Sequence, residues 1–233
     1  MKKQLYFLGL LLLGAACNGE DPALQMIVEG NVQGLKKGTL YLQTIRDTAL
    51  VSLDSIEIRG DGNFSLQAAV PEPDVYYLYL ESADNNTLDD RISFFGEAGR
   101  YRIDTRWNNF EGDASIDGAE IHEKFEVYRE NMSRFNLQQL ELSQELAAME
   151  LPADSTLQDS LQNAFNNSLK RSYLYALNYA LSNKESHLAP YIAWAEVSDA
   201  NPKYLDSVYQ SLPPNIAESK YGKKLRELLA EKP

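Results

Sequence analysis

The chain has 233 residues, of which 44% are hydrophobic, so it is long enough to bury at least one full core. Its 34 acidic and 22 basic residues give a formal charge of −12, which argues against nucleic acid and against adhesion to anionic lipid through a basic face. A single cysteine excludes intramolecular disulfides and thiolate metal clusters.

The first 16 residues have the layout of a secretory signal peptide. Lys2 and Lys3 precede an apolar run over residues 5–13, and three small residues follow the run. The run is too short to span a bilayer comfortably, so a retained transmembrane helix is the poorer interpretation. Cys17 comes directly after the small residues, and this arrangement resembles the lipobox of bacterial lipoproteins. The resemblance implies that Cys17 is acylated and that its lipid provides the membrane contact. Secretory cleavage without lipidation is the alternative.

Residues 17–21 form a short polar tether that ends in Glu20 and Asp21. Acidic residues just after the anchor resemble the export signal of surface lipoproteins, and a tether solvated by its charge is the alternative. We therefore expect an outer-membrane lipoprotein that faces either the periplasm or the cell surface.

Residues 22–118 show the apolar–polar alternation of half-buried β-strands. In one segment, Leu40 and Leu42 alternate with more polar neighbours, and turn residues such as Gly60 and Gly62 separate the segments. Seven strands are predicted, over residues 24–32, 39–46, 51–58, 63–70, 75–81, 91–97 and 100–105. Their number and spacing predict an antiparallel β-sandwich, with a partly open barrel as the alternative.

The pattern changes near Gly118, and residues 119–233 are predicted to be all helical. Apolar residues at alternating spacings of four and three predict a long helix over residues 119–149. A second long helix is predicted over residues 155–182, and a helical hairpin is the expected packing. Shorter helices should follow over residues 186–197, after Asn201 and after Pro214. The predicted fold class is therefore α+β, with a β-sandwich followed by a helical region.

Three short motifs in the β half resemble a known family. Asp54-Ser55 in one strand, Gly62-Asn63-Phe64 in the next and the turn Glu97-Ala98-Gly99 are similar to those of a β domain of unknown function in Bacteroidetes-type lipoproteins. That domain commonly precedes a thioredoxin-like domain of the AhpC/TSA or thiol–disulfide oxidoreductase kind. The segments ESHLAPYIAW and SKYGKKLRELL look like the family's connecting region. The sequence contains no Cys-x-x-Cys, so the resemblance does not carry redox activity to this chain.

Candidates for metal binding are weak. His122 and His187 have no partner at metal-ligand spacing, and we expect a surface or capping role for both. The loop that contains Asp84, Asp89 and Asp90 carries oxygen ligands for calcium, but it does not match an EF-hand, and a plain hairpin turn explains its composition better. We expect no metal and no cofactor.

One strand carries a candidate ligand surface formed by Tyr76, Tyr77 and Tyr79. Tyrosine offers a flat apolar face with a polar tip, which suits a glycan or a peptide. Alternation places Tyr77 and Tyr79 on the face opposite to Leu78 and Leu80. Ordinary cross-strand packing is the alternative explanation.

Aspartate followed by serine or threonine and then an apolar residue or threonine occurs five times, which is more than composition predicts. These triplets resemble the O-glycosylation motif of Bacteroidetes envelope proteins, in which the acceptors would be Thr48, Ser55, Ser155, Ser160 and Ser207. The alternative is that Asp-Ser pairs belong at helix N-termini and turns for backbone reasons.

These features predict a non-enzymatic, lipid-anchored envelope protein that binds a protein or glycan partner. An accessory role beside a separately encoded thioredoxin-like oxidoreductase is the alternative. A hydrolase that uses scattered carboxylates such as Glu81, Asp104 or Glu111 is least favoured, because a catalytic carboxylate pair needs a defined separation that the sequence does not supply. No nucleophile elbow, phosphate loop or dinucleotide motif is present either.

Overall fold

A computed structural model of the protein describes residues 24–82, 90–149 and 155–232. It confirms the predicted fold class, since two β-sheets form a sandwich and a helical region follows them. The strands are β1 (Gln25–Gln33), β2 (Lys37–Arg46), β3 (Ala49–Arg59), β4 (Asn63–Ala69), β5 (Asp74–Ser82), β6 (Asp90–Gly96), β7 (Gly99–Arg106) and β8 (Ser115–Asp117).

The strands form two four-stranded sheets. Sheet A has the order β4-β1-β7-β8, and sheet B has the order β3-β2-β5-β6. The pairs are antiparallel except for β1 and β7, which run parallel. The chain passes through other strands of both sheets between β1 and β7. It then returns to sheet A, where β7 lies beside β1 and runs in the same direction. The short strand β8 adds an eighth strand to the seven that were predicted.

The sandwich core consists of the inward-facing residues of both sheets. Across β2 and β5, Leu40 lies opposite Leu80 and Leu42 lies opposite Leu78, and all four side chains are buried. Their side chains meet apolar residues of sheet A such as Val28. The apolar–polar alternation in the sequence therefore identifies the residues of this core, because residues two apart along a strand lie on the same face.

The helices are α1 (Glu120–Ala147), α2 (Ser155–Ser182), α3 (Leu188–Tyr191), α4 (Pro202–Ser211), α5 (Pro214–Ala217) and α6 (Lys220–Glu231). A π-helical segment, Ile192–Glu196, continues directly from α3. The Asn201 side chain caps α4 by accepting a 3.0 Å hydrogen bond from the Lys203 amide, as expected from the Asn-Pro start. None of the helices within the described ranges has the length and apolar character needed to cross a bilayer.

Helices α1 and α2 form the expected antiparallel hairpin. Near the sandwich, the Tyr179 hydroxyl donates a 2.6 Å hydrogen bond to the carbonyl of Lys124. Farther along, the Ser168 hydroxyl donates to Oε1 of Gln138 at 2.8 Å. The buried residues of α1 all precede Met132, and those of α2 begin only at Ser168. The far half of the hairpin is therefore stabilised mainly by the contact between its own two helices.

A second core joins the helical region to the outer face of sheet B. Phe95 of β6 is fully buried there, with its ring centre 5.2 Å from that of Tyr191 and 5.7 Å from that of Phe125. Tyr221 of α6 lies 6.1 Å from the same ring. Phe95 thus belongs to the helical core, although its strand belongs to the sandwich.

Candidate functional site

The outer face of sheet B carries a line of tyrosines. Tyr77 and Tyr79 reach this face from β5, and Tyr41 of β2 lies directly opposite Tyr79. The rings of Tyr41 and Tyr79 stack with their centres 5.9 Å apart. The Tyr41 hydroxyl donates a 2.9 Å hydrogen bond to Oε2 of Glu81. We call Tyr41, Tyr79 and Tyr77 the tyrosine row.

Two buried polar atoms beside the tyrosine row, Oε1 of Gln43 and Nε of Arg91, have no hydrogen-bond partner among the described residues. Gln43 pairs with Tyr77 across the β2–β5 ladder and is 7% exposed. The Arg91 guanidinium carbon lies 5.1 Å from the centre of the Tyr79 ring and 5.9 Å from that of Tyr77. Because buried polar atoms are almost always partnered, these two atoms stand out as polar groups whose hydrogen-bonding capacity the described residues do not satisfy.

The tyrosine row leads into a cleft between sheet B and the helical region, which we call the aromatic cleft. Its cavity has a volume of about 200 Å³, and its aromatic lining consists of Tyr77, Tyr191, Trp194 and Tyr221. The ring centres of Tyr191 and Tyr221 are 5.0 Å apart, and those of Trp194 and Tyr221 are 5.7 Å apart. Since Tyr77 belongs to both features, the row and the cleft form one continuous surface.

The carboxylate of Asp74 joins the two sides of the cleft. One oxygen lies 2.5 Å from Nζ of Lys220 and also accepts a 3.3 Å hydrogen bond from the Thr44 hydroxyl. The other oxygen accepts a hydrogen bond from the Tyr221 hydroxyl. The backbone amide of Lys220 donates to Glu72 at 2.8 Å. These bonds hold the first turn of α6 against the start of β5.

Electrostatics keep the cleft hydroxyls protonated. Burial raises the pKa of Tyr77, Tyr191 and Tyr221, and the Asp74 carboxylate acts in the same direction on Tyr77 and Tyr221. Nζ of Lys224 lies 4.6 Å from the centre of the Trp194 ring and adds a cation at the wall. Ring faces and a few charges suit a flat ligand with a polar edge.

Tyr76 does not belong to the tyrosine row, which corrects the prediction that grouped it with Tyr77 and Tyr79. It is 3% exposed and packs inside the sandwich, with its ring centre 5.9 Å from that of Phe94. The reason is alternation, since Tyr76 shares the inner face of β5 with Leu78. Tyr76 also lines a cavity of about 400 Å³ that shares several residues with the aromatic cleft.

His122 is not at the surface and caps no helix, so the role expected for it is wrong. It is 1% exposed, and its ring meets that of Phe94 edge-on at 6.3 Å. The sandwich covers one side of the first turns of α1, and the helical core covers another side. Consecutive residues of the helix, such as Ile121 and His122, are therefore both buried. His187 stands at the N-cap of α3, is half-buried and makes no side-chain capping bond.

Several predicted site residues lie outside the described residues. These are the lipidation site Cys17 and the calcium candidates Asp84 and Asp89. Asp90 is described only through its backbone, as the first residue of β6. The signal segment and the tether likewise lie outside the described ranges.

The five candidate glycosylation acceptors occupy exposed positions. Two lie in or next to β3, two in α2 and one in α4: Thr48, Ser55, Ser155, Ser160 and Ser207. The Asp54 carboxylate accepts 2.8 Å hydrogen bonds from the backbone amides of Ser55 and Gln67. Asp54 therefore has a structural role of its own in linking β3 to β4.

The three carboxylates considered for hydrolysis have separate surroundings. Glu81 accepts from Tyr41 on sheet B, whereas Asp104 on sheet A pairs with Arg102 at 2.7 Å. Glu111 borders a third location, a cavity beside His122. Their positions do not support a shared catalytic pair.

The sequence interpretation missed the other residues of this surface, which are Tyr41, Gln43, Asp74, Arg91, Tyr191, Trp194, Lys220, Tyr221 and Lys224. A signal for the last five was present, because the two segments that resemble the family's connecting region, ESHLAPYIAW and SKYGKKLRELL, contain every helical residue named in the cleft. Nothing in the sequence, however, indicates that these segments meet Tyr77 of β5.

Comparison with known families agrees with the fold. Residues 26–125 match the family described as Domain of unknown function (DUF4369), a range that covers the sandwich from β1 to β8 and the first turns of α1. The N-terminal part of the chain is therefore a β domain of unknown function, as the resemblance predicted. No curated protein matches the chain.

Proposed function

We propose that the chain is a lipid-anchored protein of the cell envelope that acts by binding, without catalysis, and that its ligand is a glycan. The observation that carries this proposal is the continuous aromatic surface formed by the tyrosine row and the aromatic cleft. A sugar ring has an apolar face and a hydroxyl edge, which ring faces and neighbouring polar groups satisfy together. The lipid on Cys17 would hold this surface at the outer membrane, facing the periplasm or the exterior.

The shape of the surface favours an oligosaccharide over a single sugar. Tyr41 and Tyr79 lie on neighbouring strands, which are about 4.8 Å apart, and Tyr77 lies two residues, or about 7 Å, farther along β5. The row then continues into a cavity of about 200 Å³. Gln43 Oε1 and Arg91 Nε, which lack partners among the described residues, lie beside the row and offer an acceptor and a donor to ligand hydroxyls.

Tryptophan fluorescence tests the proposal. The chain has two tryptophans, Trp194 in the cleft and Trp107 after β7, so Trp107→Phe leaves Trp194 as the sole reporter. Xylohexaose and hexagalacturonate represent neutral and acidic oligosaccharides. We expect at least one of them to change the Trp194 emission saturably, and Tyr77→Ala to weaken that binding about ten-fold through the loss of one ring contact.

A matched control is Tyr204→Ala, which removes an exposed tyrosine from α4 and should leave the affinity unchanged. Tyr79→Ala repeats the test on a second member of the row. Absence of any saturable response to either oligosaccharide would refute glycan binding, and so would full affinity in the Tyr77→Ala and Tyr79→Ala variants.

Crosslinking in the native envelope tests the wider assignment. The acylated protein is captured with its neighbours, and Cys17→Ser is the unanchored control. Recovery of outer-membrane components by the acylated form alone supports an anchored binding protein. Recovery of a thioredoxin-like protein would instead favour the accessory role in thiol–disulfide chemistry.

A further inference from the structure

A separate cavity of about 130 Å³ lies where α1 covers the edge of the sandwich. Its walls include Ile92 of β6, Ile116 of β8 and His122 of α1. The cavity is not part of the aromatic cleft, because the lining residues of the two are different. A volume of this size holds a ligand of about six heavy atoms, since benzene occupies an engineered cavity of about 150 Å³.

His122 is the unusual member of this lining. Neither of its ring nitrogens has a hydrogen-bond partner among the described residues, although the side chain is 1% exposed. Burial lowers the pKa of His122 to about 4, and the Arg129 guanidinium acts in the same direction. The ring is therefore neutral near pH 7, with one nitrogen as a donor and the other as an acceptor. A hydroxyl group, which both donates and accepts, complements such a ring.

The rim of the cavity carries more negative than positive charge. Glu111 and Glu126 line it together with Arg129, whose Nη1 lies 3.3 Å from Oε1 of Glu126. The same Nη1 also donates to the carbonyl and, at 3.4 Å, to the hydroxyl of Ser93. Nη1 of Arg129 is thus bonded to groups of the protein, while Glu111 has no ion-pair partner among the described residues, so one negative charge at the rim is left unbalanced. An anion is disfavoured at this rim, and a cation or a neutral molecule is accepted.

We propose that this cavity is a second binding site, which takes a small non-anionic molecule bearing a hydroxyl or amino group, at the wall formed by His122. The site is independent of the aromatic surface and does not require that surface to bind a glycan.

The chain contains two histidines, so imidazole NMR of the full-length protein reports on His122 with His187 as an internal reference. Three probes of similar size share one hydroxyl group and carry a positive charge, no charge and a negative charge respectively: ethanolamine, ethylene glycol and glycolate. We expect ethanolamine to shift the His122 nitrogen resonances saturably, ethylene glycol to do so more weakly and glycolate to have no effect. His187 should not respond to any of them.

Variants at the rim test whether the negative charge of Glu111 contributes to ethanolamine binding. Glu111→Gln should weaken ethanolamine binding about two- to five-fold, the range that an exposed charge pair provides, and leave ethylene glycol unchanged. Glu130→Gln, on α1 but outside the cavity, should change neither. The proposal is overturned if His122 shows no saturable shift, which would mean that the cavity holds water only. It is also overturned if glycolate binds as well as ethanolamine, or if His187 responds equally.

Discussion

Tyr221 in α6 donates its hydroxyl hydrogen bond to Asp74 in β5, although the two residues are 147 positions apart in the chain. Lys220, the neighbour of Tyr221, contacts the other oxygen of the same carboxylate. One carboxylate of the sandwich therefore binds two consecutive residues of α6 and, together with Glu72, holds this helix beside the aromatic cleft. Without the helical region, Asp74 would keep only Thr44 as a side-chain donor among the described residues.

The Tyr221→Phe variant should be less stable than the wild type by about 1–2 kcal/mol, because the largely buried Asp74 loses a donor that water replaces poorly. Urea denaturation followed by circular dichroism measures this difference. Tyr204→Phe, which removes an exposed hydroxyl from α4, is the control and should stay within about 0.5 kcal/mol of the wild type. Equal stabilities for the two variants would contradict the structural role of the Asp74 contact.

Stability should fall as the pH drops below about 6.5 because of His122. Its pKa in the folded state is about 4, below its ordinary value of 6.5, so the unfolded chain takes up this proton first. The contribution is complete above pH 6.5 and is lost progressively toward pH 4, with about 2 kcal/mol lost between pH 7 and pH 5. Denaturation at both pH values should show this loss in the wild type and a smaller one in His122→Phe. An unchanged pH dependence in that variant would show that other groups are responsible.

Gly30→Ala should destabilise the sandwich by about 3 kcal/mol or more. A Cβ atom at this position would lie 1.8 Å from the carbonyl oxygen of Ile103, in the parallel ladder between β1 and β7. Relief requires the two backbones to separate, which breaks ladder hydrogen bonds. Thermal unfolding measures the effect, with Ser65→Ala on the exposed face of β4 as the control. A wild-type melting temperature for Gly30→Ala would refute the close approach of β1 and β7.

The native protein should carry glycans on at least one of the five predicted acceptors. Ser55 and Ser160 are exposed in β3 and α2, and both directly follow an aspartate. Intact mass spectrometry of protein from its own envelope should show a mass above that of the lipidated chain, and alanine at the modified acceptor should remove the excess. A mass equal to chain plus lipid would exclude this modification.

Local sequence patterns predicted the strands well because alternation records which face is buried. The same rule that placed Tyr77 and Tyr79 outward also places Tyr76 inward, so the grouping of all three was avoidable. The strand β8 was missed because its three residues are too few to show alternation. The expected hairpin of α1 and α2 followed from apolar residues that recur every three or four positions along each helix, with one break at Gln139 in α1.

The aromatic cleft could not be predicted, because it depends on contacts between distant segments. Trp194 and Tyr221 lie in the helical region, and only tertiary packing brings them to Tyr77. His122 shows a similar limit. Helical periodicity assigned burial to Ile121, but α1 packs on two sides at its start, so the next residue is buried as well.

The position of β1 has a mechanical consequence. It is the first strand after the expected lipid anchor, yet it lies inside sheet A, with β4 on one side and β7 on the other. A pull on the anchor would therefore load β1 along its axis and shear both hydrogen-bonded ladders together, instead of unzipping them one bond at a time. If the anchor is present, tension applied through it would be resisted by both neighbours of β1 at once.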